Sequence, residues 1–301
     1  MQDIYLLNGV SKQGHHQAIQ RERAWQDKSV FYIALMHEIR EVHPAMGLRT
    51  MYEMSLPEGI GRDAFIFLGL QAGFRLQIVH NPIRTTYSIP SRRYPNLLEG
   101  REFTDVNQLW TSDITYFFYQ GRYYYIVLVM DVYSRRILGW SVADNMRAEN
   151  NVAALRMALR MALILRGVKN YHQNLIHHSD RGAQYTSDAY TDLLTEFGIL
   201  ISMCQEVYEN AHIERLNGTI KNQYLKHYTI PHEKSLSYFL NKAVEAYNGQ
   251  KPHQALNRKS PIQFENDLKE LSLEDRTPLK IFTISKQFGE NMNPLQLSLE
   301  L

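Results

Sequence analysis

The sequence predicts an α/β fold: a mixed five-stranded sheet flanked by helices, preceded by a small helical module. Three observations carry this. Between Ser112 and Val142, three runs rich in Tyr, Ile, Val and Phe are separated only by short turns. Downstream, helical and strand periods alternate as far as Asn248. Upstream, three short stretches with helical spacing are punctuated by Gly and Pro.

Taken in order, Lys28 to Glu41 places Val30, Ile33, Met36 and Ile39 at helical steps, and Pro44 and Gly47 end that helix. Leu48 to Met54 is a second short helix, stopped by Pro57 and Gly59. Asp63 to Gln71 is a third, with Gly73 at its C′ position. Three helices so divided suit a helix-turn-helix whose recognition helix is the third, with Arg62 near its start. The spacing fits an ordinary helical bundle equally well. Residues 75–104 then form a linker held extended by Pro82, Pro90 and Pro95.

The three strands are Ser112–Tyr119, Tyr123–Val132 and Arg136–Val142, an antiparallel meander joined at Gln120-Gly121 and Tyr133-Ser134-Arg135. A helix from Asn151 to Leu165 follows, then a strand at Asn174–His177, a helix near Ser187–Phe197 and a strand at Ile199–Met203. Helices over Ala211–Lys226 and Ser235–Asn248 complete the domain. Three antiparallel strands followed by alternating helices and strands is the order of an RNase H-like domain, here residues 105–265. The tail, 266–301, carries no pattern that assigns it a role.

Composition narrows the function class. With 44% hydrophobic and 21% charged residues the chain is globular rather than disordered. No apolar run reaches membrane-spanning length, and the N-terminus lacks a signal-peptide pattern, so the cytoplasm is the expected compartment. The single cysteine, Cys204, excludes an internal disulfide and sits in an apolar run as a core thiol. A net charge of +2 does not announce a nucleic-acid partner. The linker does concentrate Arg75, Arg84, Arg92, Arg93 and Arg101 among His80, Tyr87 and Tyr94, a pattern that suits either a phosphate backbone or plain solvation.

The chemistry resides in carboxylates. Asp113 lies on the first strand of the meander, Asp180 just beyond a short strand, and Glu214 on the helix opened by Asn210-Ala211. Two sheet ends and a helix can bring these three together. Hard divalent cations take oxygen ligands, and a pair of them can activate a water or 3′-hydroxyl in phosphodiester displacement. On the helix, Ile213, Leu216, Ile220 and Tyr224 form the core stripe, while Asn210, Glu214, Asn217 and Lys221 form a neighbouring one. That second stripe suits a phosphate beside a metal, or simply a solvated face. Glu209 is an alternative third carboxylate. Asp131 reads as a turn residue, and Trp110 and Trp140 as core anchors. His177 and His178 are adjacent on a strand and point to opposite faces, which argues against a paired metal site.

Several ordered motifs resemble those of the IS3-family transposases and retroviral-type integrases of the DDE superfamily. Trp110-x-x-Asp113-x-Thr115-Tyr116 is similar to their first acidic motif, and His178-Ser-Asp-Arg-Gly-x-Gln-Tyr185 to their second. Asn210-Ala-x-x-Glu-Arg-x-Asn-Gly-x-x-Lys221 is similar to the third. Asp131-Val-Tyr-Ser-Arg135 with Gly139-Trp140, Pro252-His-Gln-Ala-Leu256 and Ser260-Pro-x-x-Phe264 resemble further family signatures. Upstream, His43-Pro-x-x-Gly-x-Arg49 resembles the family's helix-turn-helix segment, so the likeness covers about residues 8 to 265. The 33 residues between Asp180 and Glu214 (181 to 213) are fewer than is usual there.

The resemblance implies a DDE recombinase that cleaves transposon ends and joins them to target DNA. Asp113, Asp180 and Glu214 would bind two Mg²⁺ or Mn²⁺ ions. Lys221, Asn217, Arg215, Arg181, Arg62, Arg92 and Arg93 are the expected DNA contacts. It further implies double-stranded DNA as partner, a homo-oligomer on that DNA, a possible upstream-frame protein of the same element, and a nucleoid-associated bacterial location. The alternatives are a nuclease that cleaves without joining and a catalytically impaired DNA-binding remnant.

Overall fold

Gln120 and Gly121 both take positive φ (47° and 79°), as the tightest two-residue hairpin requires. They fold β2 (Leu109–Tyr119) back onto β3 (Arg122–Asp131), with Tyr119 opposite Arg122. The computed structural model describes residues 11–76, 94–145, 147–166, 174–204 and 210–281. Short β1 (Glu102–Phe103) precedes the hairpin and β4 (Ile137–Ala143) completes the meander. After helix α4 (Ala148–Arg166) the chain adds β5 (Ile176–Ser179), α5 (Asp188–Glu196) and β6 (Leu200–Met203). The five-stranded sheet runs β4-β3-β2-β5-β6, antiparallel through the meander and parallel from β2 to β6. This is the RNase H-like sheet the sequence predicts.

Both faces of the sheet are covered, so β3 is buried almost without interruption. Ile126, Leu128 and Met130 face α6 (Ala211–Thr219) and α7 (Leu236–Gly249), meeting Ile213, Leu216, Leu240 and Tyr247. Val127 and Val129 face the other way, onto Leu155, Ala158 and Leu193 of α4 and α5. Gly139 admits α4 so closely that a methyl there would overlap the Ala154 carbonyl oxygen. Asp131 is a turn residue: its Oδ1 accepts from the Tyr133 and Ser134 amides at 3.0 and 3.1 Å, and its Oδ2 from Asn107 N at 2.6 Å. Trp110 is fully buried and Cys204 is a buried thiol.

The N-terminal helices are α1 (Lys12–Val42), α2 (Leu48–Ser55) and α3 (Arg62–Gln71), packed around Tyr32, Met36, Met51 and Phe65. Helix α1 begins far upstream of the predicted Lys28, capped by Ser11, which accepts from Gly14 N at 3.0 Å. Its first half is solvent-exposed and carries no apolar stripe, which is why periodicity misses it. Val30, expected on the packed face, is 69% exposed. The module meets the sheet domain where His43 Nδ1 lies 2.9 Å from Tyr224 Oη and Ala45 N donates to Gln223 O at 3.3 Å.

Two further expectations change. The predicted helix over Ala211–Lys226 is α-helical only to Thr219, and Ile220–Tyr224 forms a π-helical turn. The wider turn lets Ile220, Tyr224 and Leu225 all bury, which a four-residue step would not. The predicted boundary at residue 265 cuts α8 (Pro261–Leu268), a helix with a Ser260–Gln263 capping box. Beyond it, β7 (Leu279–Lys280) pairs with β1, Arg276 forms an ion pair with Asp105, and Tyr133 Oη donates to Thr277 O at 3.1 Å. The described part of the tail is thus packed on the sheet domain. Residues 282–301 lie outside the described residues, as do Arg84, Arg92 and Arg93 of the basic linker.

Gly139→Ala should cost about 1–3 kcal/mol, because neither a strand nor a helix backbone can yield to the new methyl. Urea unfolding checks this, and an unchanged midpoint would show that α4 packs less closely on β4.

Candidate active site

The parallel register of β2 and β5 positions the first two carboxylates. Ser112 stands opposite Ser179, so the next residues along, Asp113 and Asp180, leave the pair of strands side by side. Along β2, Leu109 and Phe117 belong to the α6/α7 face, and Asp113 shares their parity. Its side chain therefore meets α6, where Asn217 Nδ2 donates to Asp113 Oδ2 at 2.8 Å. Asp180 Oδ1 accepts from Gly182 N at 2.9 Å, in a turn where a Cβ on Gly182 would crowd that same oxygen. Glu214, one turn before Asn217, is solvent-exposed on α6. Asn210 seats the start of the helix, its Oδ1 accepting from Thr111 Oγ1 at 2.6 Å.

The electrostatics show that the three acids share one field. Burial pushes the Asp113 carboxyl up to about 7, and the charges of Asp180 and Glu214 add to this. The Asn217 hydrogen bond works in the opposite direction. Burial also raises Asp180, and burial followed by the Asp180 charge raises Glu214. Lys221, half-buried on the π turn, is lowered by burial and then by Lys226, against the pull of Asp113.

Beneath the acids lies a rigid polar floor. Tyr190 Oη is 2.9 Å from His177 Nε2 and 3.4 Å from Ser112 Oγ. His178 Nδ1 is 2.9 Å from Ser202 Oγ, and its Nε2 is 3.1 Å from Cys204 Sγ. Both histidines are buried, on opposite sides of β5.

The donor chemistry fits Mg²⁺ or Mn²⁺, being oxygen only and threefold negative. Among the described residues, no group of three His, Cys, Asp or Glu side chains stands close enough, as placed, to hold one ion. Glu209 lies outside the described residues.

Other expected contacts are dispersed. Asn217, expected on DNA, is buried and its amide donates to Asp113. Sequence reasoning missed this because a stripe of polar residues does not reveal which member points inward. Arg215 is exposed on α6 and Arg181 is half-buried beside Asp180. Arg62 starts α3 and pairs with its neighbour Asp63 at 2.8 Å, remote in sequence from the acids.

Residues 104–208 and 201–261 match two families, each described as Integrase core domain. A 31 kDa protein of insertion element IS600 from Shigella sonnei is 31% identical over 270 residues, 85% of this chain and 95% of that protein. Transposase InsF for insertion sequence IS3A of Escherichia coli K12 is 32% identical over 57% of this chain and 58% of its own length. The chain belongs to the IS3-family transposases. Membership in this DDE family makes it a DNA-processing enzyme with a DDE-type transposition function. Among solved structures, the HTLV-2 integrase catalytic core domain in complex with magnesium (trimeric form) aligns at TM-score 0.42 and 22% identity, over 53% of this chain and 96% of that one.

In this transposase Asn217→Leu keeps the side-chain volume but removes a hydrogen bond to the ionised carboxylate. Asp113 should then titrate above about 7, which NMR-detected carboxyl titration of the metal-free protein would measure. An unmoved or lowered value would end the positioning role.

Proposed function

We propose that this transposase cleaves the 3′ ends of its element and joins each freed hydroxyl to a phosphodiester of target DNA. Asp113, Asp180 and Glu214 would hold the divalent ions, two being the number that suits in-line displacement. When bound, these ions supply charge neutralisation and activation of the attacking oxygen. The observation that carries the reading is the β2–β5 register, which sets Asp113 beside Asp180 at the foot of the helix bearing Glu214.

The chain's own residues do the rest. Asn217 and the Gly182 amide each hold one carboxylate by a hydrogen bond, which would limit the orientations open to Asp113 and Asp180. Lys221, on the π turn that follows the helix of Glu214, would hold a phosphate of the strand being cut. The buried His177–Tyr190 and His178–Ser202 pairs stiffen the floor on which both aspartates rest. The helical module carrying α3 and Arg62 would hold DNA beyond the cut site, and Arg92 and Arg93 would track the backbone between. Synapsis of two ends calls for at least a dimer on DNA, and a protein from an upstream frame of the element would complete end recognition. The chain would act at the bacterial chromosome, and no described helix is long and apolar enough to cross a membrane.

Strand joining on element-end duplex with Mg²⁺ tests the proposal. Asp113→Asn, Asp180→Asn and Glu214→Gln should each abolish joining, and joining that survives Asp113→Asn would sink the assignment. Cleaved product without any joined product would point instead to a nuclease.

Stability should move the opposite way. A carboxyl raised from 3.8 to about 7 favours the folded state while protonated and loses that contribution as pH climbs through 7. Relative to Asp113→Asn, the metal-free wild type should therefore lose stability between pH 4 and 8, leaving Asp113→Asn the more stable of the two at pH 8. Thermal melts in chelator measure this, and a less stable variant at pH 8 would contradict it.

A further inference from the structure

A second concentration of charge stands beside the acids, and it is positive. The β3–β4 turn places Arg135 in the left-handed region (φ 60°) at its tip. The end of α7 is clamped to the same turn, with Ile137 N donating to Asn248 Oδ1 and Asn248 Nδ2 to Ile137 O, both at 2.9 Å. Lys251 and His253 follow directly, and the His253 ring packs edge-on to Tyr247 with centroids 4.8 Å apart. From α6, His212 and Arg215 share a face, one turn apart and next to Glu214.

These five side chains feel one another. Arg135 and Arg215 both act on His212, while Lys251 and Arg135 act on His253. Burial first, and then those cations, push each imidazole down to about 3, so both are neutral. Arg135 is itself lowered by burial, with the Arg215 charge acting in the same direction and Tyr247 and Asp131 acting against it. Among the described residues, none of the five side chains has a hydrogen bond or ion pair. The Nε2 of His253 is buried without a partner. Next door, Arg136 shows the ordinary solution, an ion pair with the buried Glu265. Asp131, the nearest acid in sequence, already accepts from three backbone amides.

Like charges gathered without an ion-paired acid among the described residues are costly, and a structural cluster would be expected to pair them as Glu265 pairs Arg136. A tetrahedral anion removes the cost: a phosphate offers several acceptor oxygens to Arg, Lys and imidazole donors at once. We propose that Arg135, Arg215 and Lys251, with His212 and His253, form a site for one phosphate group, which on DNA is a backbone phosphate of the strand crossing the acidic trio. The DNA half rests on the transposase reading, whereas the phosphate half does not.

Two measurements on the full chain test this, using the double variant Arg135→Gln/Lys251→Gln. In the first, inorganic phosphate is titrated against chloride at equal ionic strength and read by thermal shift. Wild type should be stabilised, and the double variant should bind phosphate at least tenfold more weakly. In phosphate-free buffer the variant should melt no lower than wild type, since repulsion has been relieved. A substantially lower melt would make the cluster structural and overturn the proposal. If the double variant fails to fold, Lys251→Gln alone serves for both measurements.

The second measurement is duplex DNA binding against salt. One shared phosphate predicts that the log–log slope falls by about 0.9 in the double variant. A fall of about twice that would mean separate contacts and overturn the single site. Phosphate binding with an unchanged slope overturns the DNA assignment, and no phosphate effect overturns the site itself. Wild type that binds no duplex would count against the transposase reading, and the phosphate arm would still decide the site. Arg156→Gln, an exposed arginine on α4 outside the cluster, should leave phosphate binding unchanged.

Discussion

The site depends on the register of one parallel strand pair. Ser112 opposite Ser179 sends two aspartates out together, and a slip of one residue would turn Asp113 to the other face of the sheet. That register is secured well away from the acids. Trp110 and Leu109 on β2 and Ile176 on β5 are almost wholly buried, and β5 continues into β6 with the same parallel pairing. The core therefore maintains an arrangement that electrostatics alone would oppose, two like charges brought together at a partly buried edge. The opposition shows in the high titration of Asp113. A Gly182 amide and an Asn217 amide offset part of it by favouring the ionised forms.

Helix α6 and the π turn after it connect this edge to the rest of the molecule. The α-helical part supplies Glu214 and Asn217 to the acids, and the π part supplies Lys221 to one side. It also supplies Tyr224, which reaches His43 at the end of α1. The Gln223 carbonyl accepts from Ala45 in the same place. The segment that carries Glu214 thus continues into the turn on which the N-terminal module rests. A π turn spends hydrogen-bond geometry to place one extra residue per turn, and here that extra residue lets Tyr224 and Leu225 be buried together.

Much of the sheet was legible in the sequence because its signals are local and physical. Gln120-Gly121 fixes a hairpin, and the β-branched and aromatic runs fix the strands around it. Each acid stands out in the sequence because it lies in a dense motif, and the β2–β5 register sets two of them side by side. The role of Asn217 does not stand out, since a helical stripe gives a direction and not a depth: Glu214 and Asn217 share it, yet one is exposed and the other buried. The first half of α1 was hidden for a related reason, as a solvent-exposed helix leaves no apolar period to count. The π turn was hidden because Ile213, Leu216, Ile220 and Tyr224 fit an ordinary helical step, and only the burial of Leu225 breaks it. The basic cluster was hidden because its members come from three separate segments, and a net charge of +2 averages them away.

Both charged regions are unbalanced within the protein, and in opposite senses. Three acids repel one another near β2, β5 and α6, while among the described residues three cations form no ion pair around the β3–β4 turn, the start of α6 and the end of α7. Glu214 and Arg215 are adjacent residues, yet each belongs to a group of its own sign rather than neutralising the other. A chain selected for its isolated stability would be expected to interleave these charges. Keeping them apart leaves each open to a ligand of opposite charge, cations for the acids and phosphate for the bases. Such ligands would meet in a nucleic-acid strand with its bound metal ions. The separation of charge along α6, rather than either cluster alone, is what matches this surface to such a substrate.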